Sequence, residues 1–469
     1  MVDAITKLNQ TVNQIVWGIP MMLLIVGVGV YLSLRLHFLQ FRHFGHIVKN
    51  TLGKAFQRNT QHTGAVSPFK AMCTALAASI GTGNIAGVSG AIAIGGPGAV
   101  FWMWISALFG MCTKYAEVTL SIRYRMRNEA GDWVGGPMYY IQHGLGHRWR
   151  WLGVLFSVFG ALAAFGIGNM TQINTIATTI TDTVHTLSGQ GLSSQTLALM
   201  PWAISILCGI VSAVVLLGGI QRLADVCGLL VPAMAVLYIA ASLGVVLLNL
   251  PAVPAAFSAI IAGAFDPAAV AGGLAGIGIK TVIIKGIGRG IFSNEAGLGS
   301  APIAHAAADV EHPVQQGIFG VFEVFMDTVV VCTMTALVAL LGVGVNNIEY
   351  GVSIGADLTI NGFMSVFPGK ISATCIAVCL SLFAISTVLT WALYGTRCVE
   401  FLFGFKAAKV YQVIFCLFAC IAGTTSLQLA WDIADTLNGL MAIPNLIAVA
   451  LLSPVVFKLT KEYFAKVKK

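Results

Sequence analysis

Residues 79–87 read Ser-Ile-Gly-Thr-Gly-Asn-Ile-Ala-Gly, and residues 286–297 read Gly-Ile-Gly-Arg-Gly-Ile-Phe-Ser-Asn-Glu-Ala-Gly. Each lies within an apolar segment long enough to cross a bilayer, and each interleaves glycine with polar side chains. Glycine costs a helix roughly 1 kcal/mol against alanine, and adjacent Asn and Ser offer the backbone competing hydrogen bonds. A helix opens at such places. Opened backbone inside a membrane survives only where it is buried in protein or lines a cavity, because lipid satisfies no polar group. Glycine also lets two helices touch, which is the simpler reading of Gly87, Gly90 and Gly110. In the two quoted stretches the polar neighbours favour a break, and a pair of breaks predicts a site.

The rest of the chain supports a membrane setting. Of 469 residues, 57% are hydrophobic and 9% charged, against about a quarter charged in soluble domains. Apolar stretches recur from Trp17 to Phe457 with no polar interval of domain size, so the chain reads as one transmembrane domain over 1–469. The expected class is an all-α integral membrane protein of about eleven transmembrane helices. The spans fall near 14–36, 71–96, 98–122, 151–180, 201–219, 228–250, 276–299, 314–343, 371–396, 410–430 and 436–457, at about 1.5 Å per residue. The N-terminus lacks the basic region and small-residue cleavage site of a signal peptide, so no processing is expected.

The formal charge of +8 raises the question of a nucleic-acid partner, but the basic residues are spread over alternate connections, and none is expected. Lys and Arg follow spans one, three, five, nine and eleven: 20 lie in that set of loops, while the opposite set holds Lys7 and Lys370. Basic residues in short loops stay on the cytoplasmic side, which predicts an outside N-terminus, a cytoplasmic C-terminus and a multi-pass protein of the plasma membrane, the inner membrane if bacterial. With 14–36 as a peripheral helix, ten spans remain, and five per half (71–250 and 276–457) gives halves of opposite orientation. That is the arithmetic of an inverted repeat whose first helix is discontinuous in each half. The ten cysteines sit in or beside apolar segments without metal-ligand spacing and read as small core residues.

The runs Ser79–Gly87 and Gly290–Pro302 resemble those of the alanine or glycine:cation symporter family, and the resemblance implies a zwitterionic amino acid as substrate, which needs its carboxylate and ammonium neutralised away from water. Half-helix N-termini present N–H groups and C-termini present carbonyls. The carboxylate is expected against Thr82, Gly83 and Asn84, and the ammonium near Phe292, Ser293 and Asn294.

The runs Ser79–Gly87, Gly135–Ile141 (Gly-Gly-Pro-Met-Tyr-Tyr-Ile) and Gly290–Pro302 resemble the alanine or glycine:cation symporter family, the sodium:alanine symporters. The resemblance implies the leucine-transporter-type fold and sodium-coupled symport of a small neutral amino acid, alanine or glycine, into the cell by alternating access. It adds Gln172 as a polar substrate contact and Thr387 and Trp391 one helical turn apart; Phe292 and Trp391 would leave room for a small side chain only. Sodium prefers oxygen ligands. In this fold span nine faces the first break, which implies a sodium site from Ser386 and Thr387 with carbonyls near Ser79, Ile80 and Asn84.

Intramembrane charges are functional candidates by default. Glu295 is expected to brace the second break or to pair with Arg289, and Lys114 to pair with Glu117. Glu323 and Asp327 share a face of span eight near its cytoplasmic entry, as a gate or a proton-linked site. A channel would need a polar lining along several helices, and an enzyme would need a convergent nucleophile or metal set, for which no HExxH or GxSxG occurs. The stronger rival is a proton-coupled amino-acid carrier of the same architecture.

Overall fold

The computed structural model describes residues 2–54, 65–189, 191–267, 278–352, 355–424 and 428–467. These are almost wholly helical, as apolar chain without water partners must be to satisfy its own backbone. The one sheet among the described residues is a hairpin of β1 (Met126–Arg127) and β2 (Trp133–Val134). The first half comprises α1 (Val2–Val16), α2 (Ile19–Arg35), α3 (Pro68–Ser79), α4 (Ala86–Gly95), α5 (Ala99–Arg123), α6 (Arg150–Phe165), α7 (Thr171–Leu187), α8 (Ser194–Leu216), α9 (Gly219–Leu248) and α10 (Val253–Phe265). The second includes α11 (Ile279–Asn294), α12 (Ala301–His305), α13 (Pro313–Val324), which continues through a π-type stretch (Phe325–Cys332) and further helix (Thr333–Ala339), α14 (Asp357–Val366), α15 (Lys370–Phe403), α16 (Phe405–Ala422) and α17 (Gln428–Val467).

Among the described residues, eight helical stretches are long and apolar enough to cross a membrane, and the bent pair α3 and α4 makes a ninth. Large apolar side chains such as Leu207, Leu229, Val236, Leu247 and Leu417 point outward from α8, α9 and α16, a surface that fits lipid and not water. The protein is a multi-pass membrane protein. Two predicted spans, 98–122 and 276–299, correspond to α5 and α11, which do not stand out by length and apolarity: α5 carries Lys114, Glu117 and Arg123, and the 16 residues of α11 carry Lys280, Lys285 and Arg289. In α5, Lys114 and Glu117 are buried and answered by protein groups, whereas the basic residues of α11 are exposed or half-buried. Helices α10 and α14 occupy stretches where the sequence pattern predicts no element. Trp102 Nε1 donates to the Ala264 carbonyl at 3.2 Å, and the Ser89 and Thr359 hydroxyls lie 2.6 Å apart, fixing these helices to α5 and α4.

Both breaks exist, with different geometry. Helix α3 stops at Ser79, Ile80 and Gly81 leave the helical region, one turn over Thr82–Asn84 follows, and α3 and α4 meet at 60°. Helix α11 runs through Asn294 and ends where Glu295 adopts a left-handed φ of 55°. Gly297 (φ 91°) and Gly299 (φ 85°) then carry the chain to α12 through backbone that favours glycine. The prediction that Gly286, Gly288 and Gly290 open the helix is corrected: all three stay helical. A Cβ on Gly286 would stand 2.4 Å from the Ala99 carbonyl oxygen, and one on Gly290 would stand 2.0 Å from Ser106 Oγ. These two glycines, one turn apart, let α11 touch α5.

Candidate functional site between two broken helices

At the first break Asn84 serves both ends of its own turn. Its Oδ1 accepts from the Gly81 N–H at 3.0 Å, and its Nδ2 donates to Ser293 Oγ at 3.0 Å and to Asp327 Oδ1 at 2.7 Å. Thr82 Oγ1 donates to Gln172 Oε1 at 3.2 Å, while Gln172 Nε2 donates to the Ile167 carbonyl at 3.1 Å. That carbonyl belongs to a wide π-type stretch, Gly166–Met170, between α6 and α7. The stretch is shaped around Trp391: a Cβ on Gly168 would stand 2.1 Å from Trp391 Cβ. Trp391 is buried and meets Tyr394 edge-on at 5.6 Å. Phe292 comes from the opposite side, its ring 3.4 Å from where a Cβ on Gly83 would be. Thr82, Gly83, Gln172 and Phe292 therefore meet at the first break, and Trp391 packs behind Gln172 against the π-type stretch.

The second break is braced by carboxylates. Glu295 Oε2 accepts from Ser300 Oγ at 2.5 Å, across the opened turn. Glu117 Oε1 accepts from the Gly297 N–H at 3.1 Å and from Asn445 Nδ2, which also donates to the Gly297 carbonyl at 2.9 Å. Asn445 Oδ1 in turn accepts from the Tyr140 hydroxyl, so the Gly135–Ile141 run is tied to this break. Asn294 Oδ1 accepts from the Ala296 N–H at 3.0 Å, and its Nδ2 donates to Thr328 Oγ1 at 3.1 Å. Glu295 does not reach Arg289, whose guanidinium instead lies 5.7 Å from the Phe292 ring centroid.

Asp327 joins the two breaks. Besides Asn84, its carboxylate accepts from Ser293 Oγ and Thr328 Oγ1 at 2.8 and 2.7 Å, and the residue is fully buried. Sequence reasoning marked Asp327 as an intramembrane acid but placed it near the cytoplasmic entry, with no signal that Asn84, 243 positions away, would hold it. Glu323, one turn earlier, accepts from Ser79 Oγ at 3.2 Å and Lys114 Nζ at 3.3 Å and lies 2.8 Å from His305 Nε2. The expected Lys114–Glu117 pair is thus corrected: Lys114 pairs with Glu323, and Glu117 with the second break. All these groups are buried, where a charge without partners is costly.

Ser386 and Thr387 of α15 converge on α3. Both hydroxyls donate to the Ala77 carbonyl, at 3.3 and 3.0 Å, and both also bond back to Phe383 O. Thr387 Oγ1 would stand 2.7 Å from a Cβ on Gly81, so glycine is what admits it to the break. Two hydroxyls and the last carbonyls of α3 form a compact oxygen set beside Ser79 and Ile80. The Asn84 amide nitrogen points toward Asp327, while its Oδ1 stays on the Gly81 N–H.

Helices interrupted within the span, with buried polar groups turned inward at two breaks in a multi-pass membrane protein, define a secondary transporter and not an enzyme. Residues 2–469 match the family model described as the sodium:alanine symporter family, and the chain belongs to that family of amino-acid transporters. It is 44% identical to the sodium/alanine symporter AgcS of Methanococcus maripaludis, over 98% of this chain and 97% of that one. It is 36% identical to a Bacillus subtilis protein named "Probable sodium/glutamine symporter GlnT", over 96% and 89% of the two chains. In fold it is similar to the crystal structure of MhsT in complex with L-phenylalanine, with a TM-score of 0.59 at 14% identity, covering 84% of this chain and 90% of that one. The leucine-transporter-type fold expected from the resemblance is the fold observed.

Proposed function

We propose that the protein carries one small neutral amino acid, alanine or glycine, into the cell together with sodium by alternating access. The observation that carries this reading is the convergence of Thr82, Gln172 and Phe292, with Trp391 behind them at Gly168, on one opened helix that also meets the Ser386 and Thr387 hydroxyls. Substrate carboxylate is assigned to the Thr82–Asn84 backbone, ammonium to Phe292, Ser293 and Asn294, and the side-chain limit to Phe292 and Trp391, with Gln172 and Thr387 as polar contacts. Sodium is assigned to Ser386 and Thr387 with carbonyls around Ser79, Ile80 and Asn84. Ion and substrate then share one turn of backbone, and each stabilises the conformation the other needs. The inverted arrangement of 71–250 and 276–457, the peripheral role of 14–36 and the outside N-terminus complete the proposal. The relative named for alanine, at 44% identity, supports a small substrate over the glutamine in the name of the 36% relative.

Uptake of alanine into proteoliposomes tests the reading. An inward sodium gradient should drive it, glycine should compete, and leucine, phenylalanine and glutamine should not. Accumulation under a proton gradient without sodium would replace this reading with a proton-coupled one. That rival has one observation behind it: Ser79, Glu323, His305 and Gln316 form an unbroken chain of buried polar contacts from the first break to the Pro68 carbonyl at the start of α3.

A further inference from the structure

Phe292 has a second face. Beyond it from Gly83 lies a cavity of about 190 Å³ whose walls include Asn13 and Trp17 from the N-terminal segment, Lys285, Arg289 and Phe292 from α11, and Asp435 from α17. Lys285 and Arg289 stand one helical turn apart on the same face. Neither is in a direct ion pair among the described residues; Arg289 overlies the Phe292 ring, 5.7 Å from its centroid, and its charge also acts on Asp435 across the cavity. Across the cavity, Asp435 Oδ2 accepts from Asn13 Nδ2 at 2.9 Å, and the Trp17 indole N–H donates to the Asp435 carbonyl at 3.2 Å. Trp17 and Phe292 approach at 6.2 Å between ring centroids. A Cβ on Gly439 would stand 2.2 Å from Val16 Cγ1, so α17 has glycine where the N-terminal segment docks. Helix α1 keeps Ile5, Leu8 and Ile15 exposed.

We infer that this cavity is an entry site for the zwitterionic amino acid, occupied before it passes Phe292 to the site between the breaks. This inference rests on the amino-acid reading above. Two cationic side chains on one wall suit a carboxylate, and the Arg289 fork can hold it in two parallel bonds. The carboxylate on the opposite wall suits an ammonium. A lone metal cation would be repelled by Lys285 and Arg289, whereas a zwitterion answers both signs at once. Protein walls of low dielectric strengthen that match and raise the local substrate concentration. Asn13 and Trp17 position Asp435 and close the cavity on the side of α1, which gives the segment ahead of α2 a role in access.

The test is the initial rate of alanine uptake into proteoliposomes at a fixed sodium gradient, together with equilibrium alanine binding to the purified protein. Arg289→Gln and Asp435→Asn should each raise KM about five- to tenfold, in line with loss of electrostatic capture. The maximal rate and the affinity of the site between the breaks should stay within twofold, and Arg289→Lys should restore most of the wild-type KM. Wild-type KM in both neutral variants would overturn the inference. So would a wild-type KM that rises as much when chloride is replaced by gluconate, which would assign the cavity to an inorganic anion. A wild-type protein that moves no amino acid at all would remove the underlying reading along with this one, and is recognised before any variant is compared.

Discussion

The two breaks look alike in sequence and differ in how they are held. At the first, the chain turns by 60° around Gly81, and the groups on its backbone are neutral, Asn84 from within the turn and two hydroxyls from α15, while carboxylates reach it only through side chains, Glu323 through Ser79 and Asp327 through Asn84. At the second, Glu295 bridges to Ser300 while Glu117 and Asn445 hold Gly297 from two sides. Hydrogen bonds to carboxylates are the stronger kind, worth about 1.5–3 kcal/mol each. The second break, whose backbone is held by a carboxylate, is therefore the fixed frame, and on the proposed function the first, whose backbone has neutral partners, is the part that ion and amino acid reorganise. Asp327 ties them together, alongside the direct bond from Asn84 to Ser293.

The widest separation between frame and moving part should follow loss of that tie. Asp327→Asn keeps the shape but leaves one carbonyl oxygen where two carboxylate oxygens accept three bonds; losing about 3 kcal/mol, it should weaken alanine binding about 100-fold. Isothermal titration on the folded variant checks this, and binding within threefold of wild type would remove Asp327 from the link. Glu295→Gln should lower both alanine and sodium affinity about 30-fold by loosening the frame, with the pH profile of uptake between pH 5.5 and 8.5 unchanged in shape. Intact binding with a lost pH dependence would instead make Glu295 a proton carrier.

At the first break the effects should be smaller and separable. Thr387→Ala removes one oxygen from the set around Ala77, and the sodium concentration for half-maximal uptake should rise about tenfold. An equal loss at all sodium concentrations would place Thr387 with the substrate alone. Trp391→Leu should alter selectivity more than rate: leucine should compete for alanine uptake with a gain of about threefold or more, less than the full worth of one methylene contact because the rest of the wall remains. An unchanged competition profile would deny Trp391 a wall role.

The sequence made the breaks legible because glycine and polar residues alternate within apolar runs, and few folded contexts tolerate that pattern. The same signal misled at Gly286 and Gly290, since a glycine that opens a helix and a glycine that admits a neighbour read identically until the neighbour, α5, is in place. Ser386 and Thr387 were placed by family resemblance; their contact with Ala77 spans more than 300 positions and has no local trace. The pairing of charges was misread for a related reason. Lys114 has Glu117 at helical spacing, yet Glu323, 209 positions away, is its partner, and proximity in sequence carries little weight where ten or so helices bundle together. Gln172, which the resemblance offers as a substrate contact, is found bonded to Thr82 of the first break, beside a π-type stretch around Trp391 that no periodicity predicts.

The central claim is that substrate and sodium meet on one opened turn, and the most direct test is their thermodynamic linkage in the unmodified protein. Alanine affinity should be measured by titration calorimetry with sodium present and with sodium replaced by choline, and sodium affinity with and without alanine. Adding sodium should tighten alanine binding at least tenfold, and alanine should tighten sodium binding by the same factor, as reciprocity requires. Alanine affinity that is identical in sodium and choline would contradict the account, whatever the variants show.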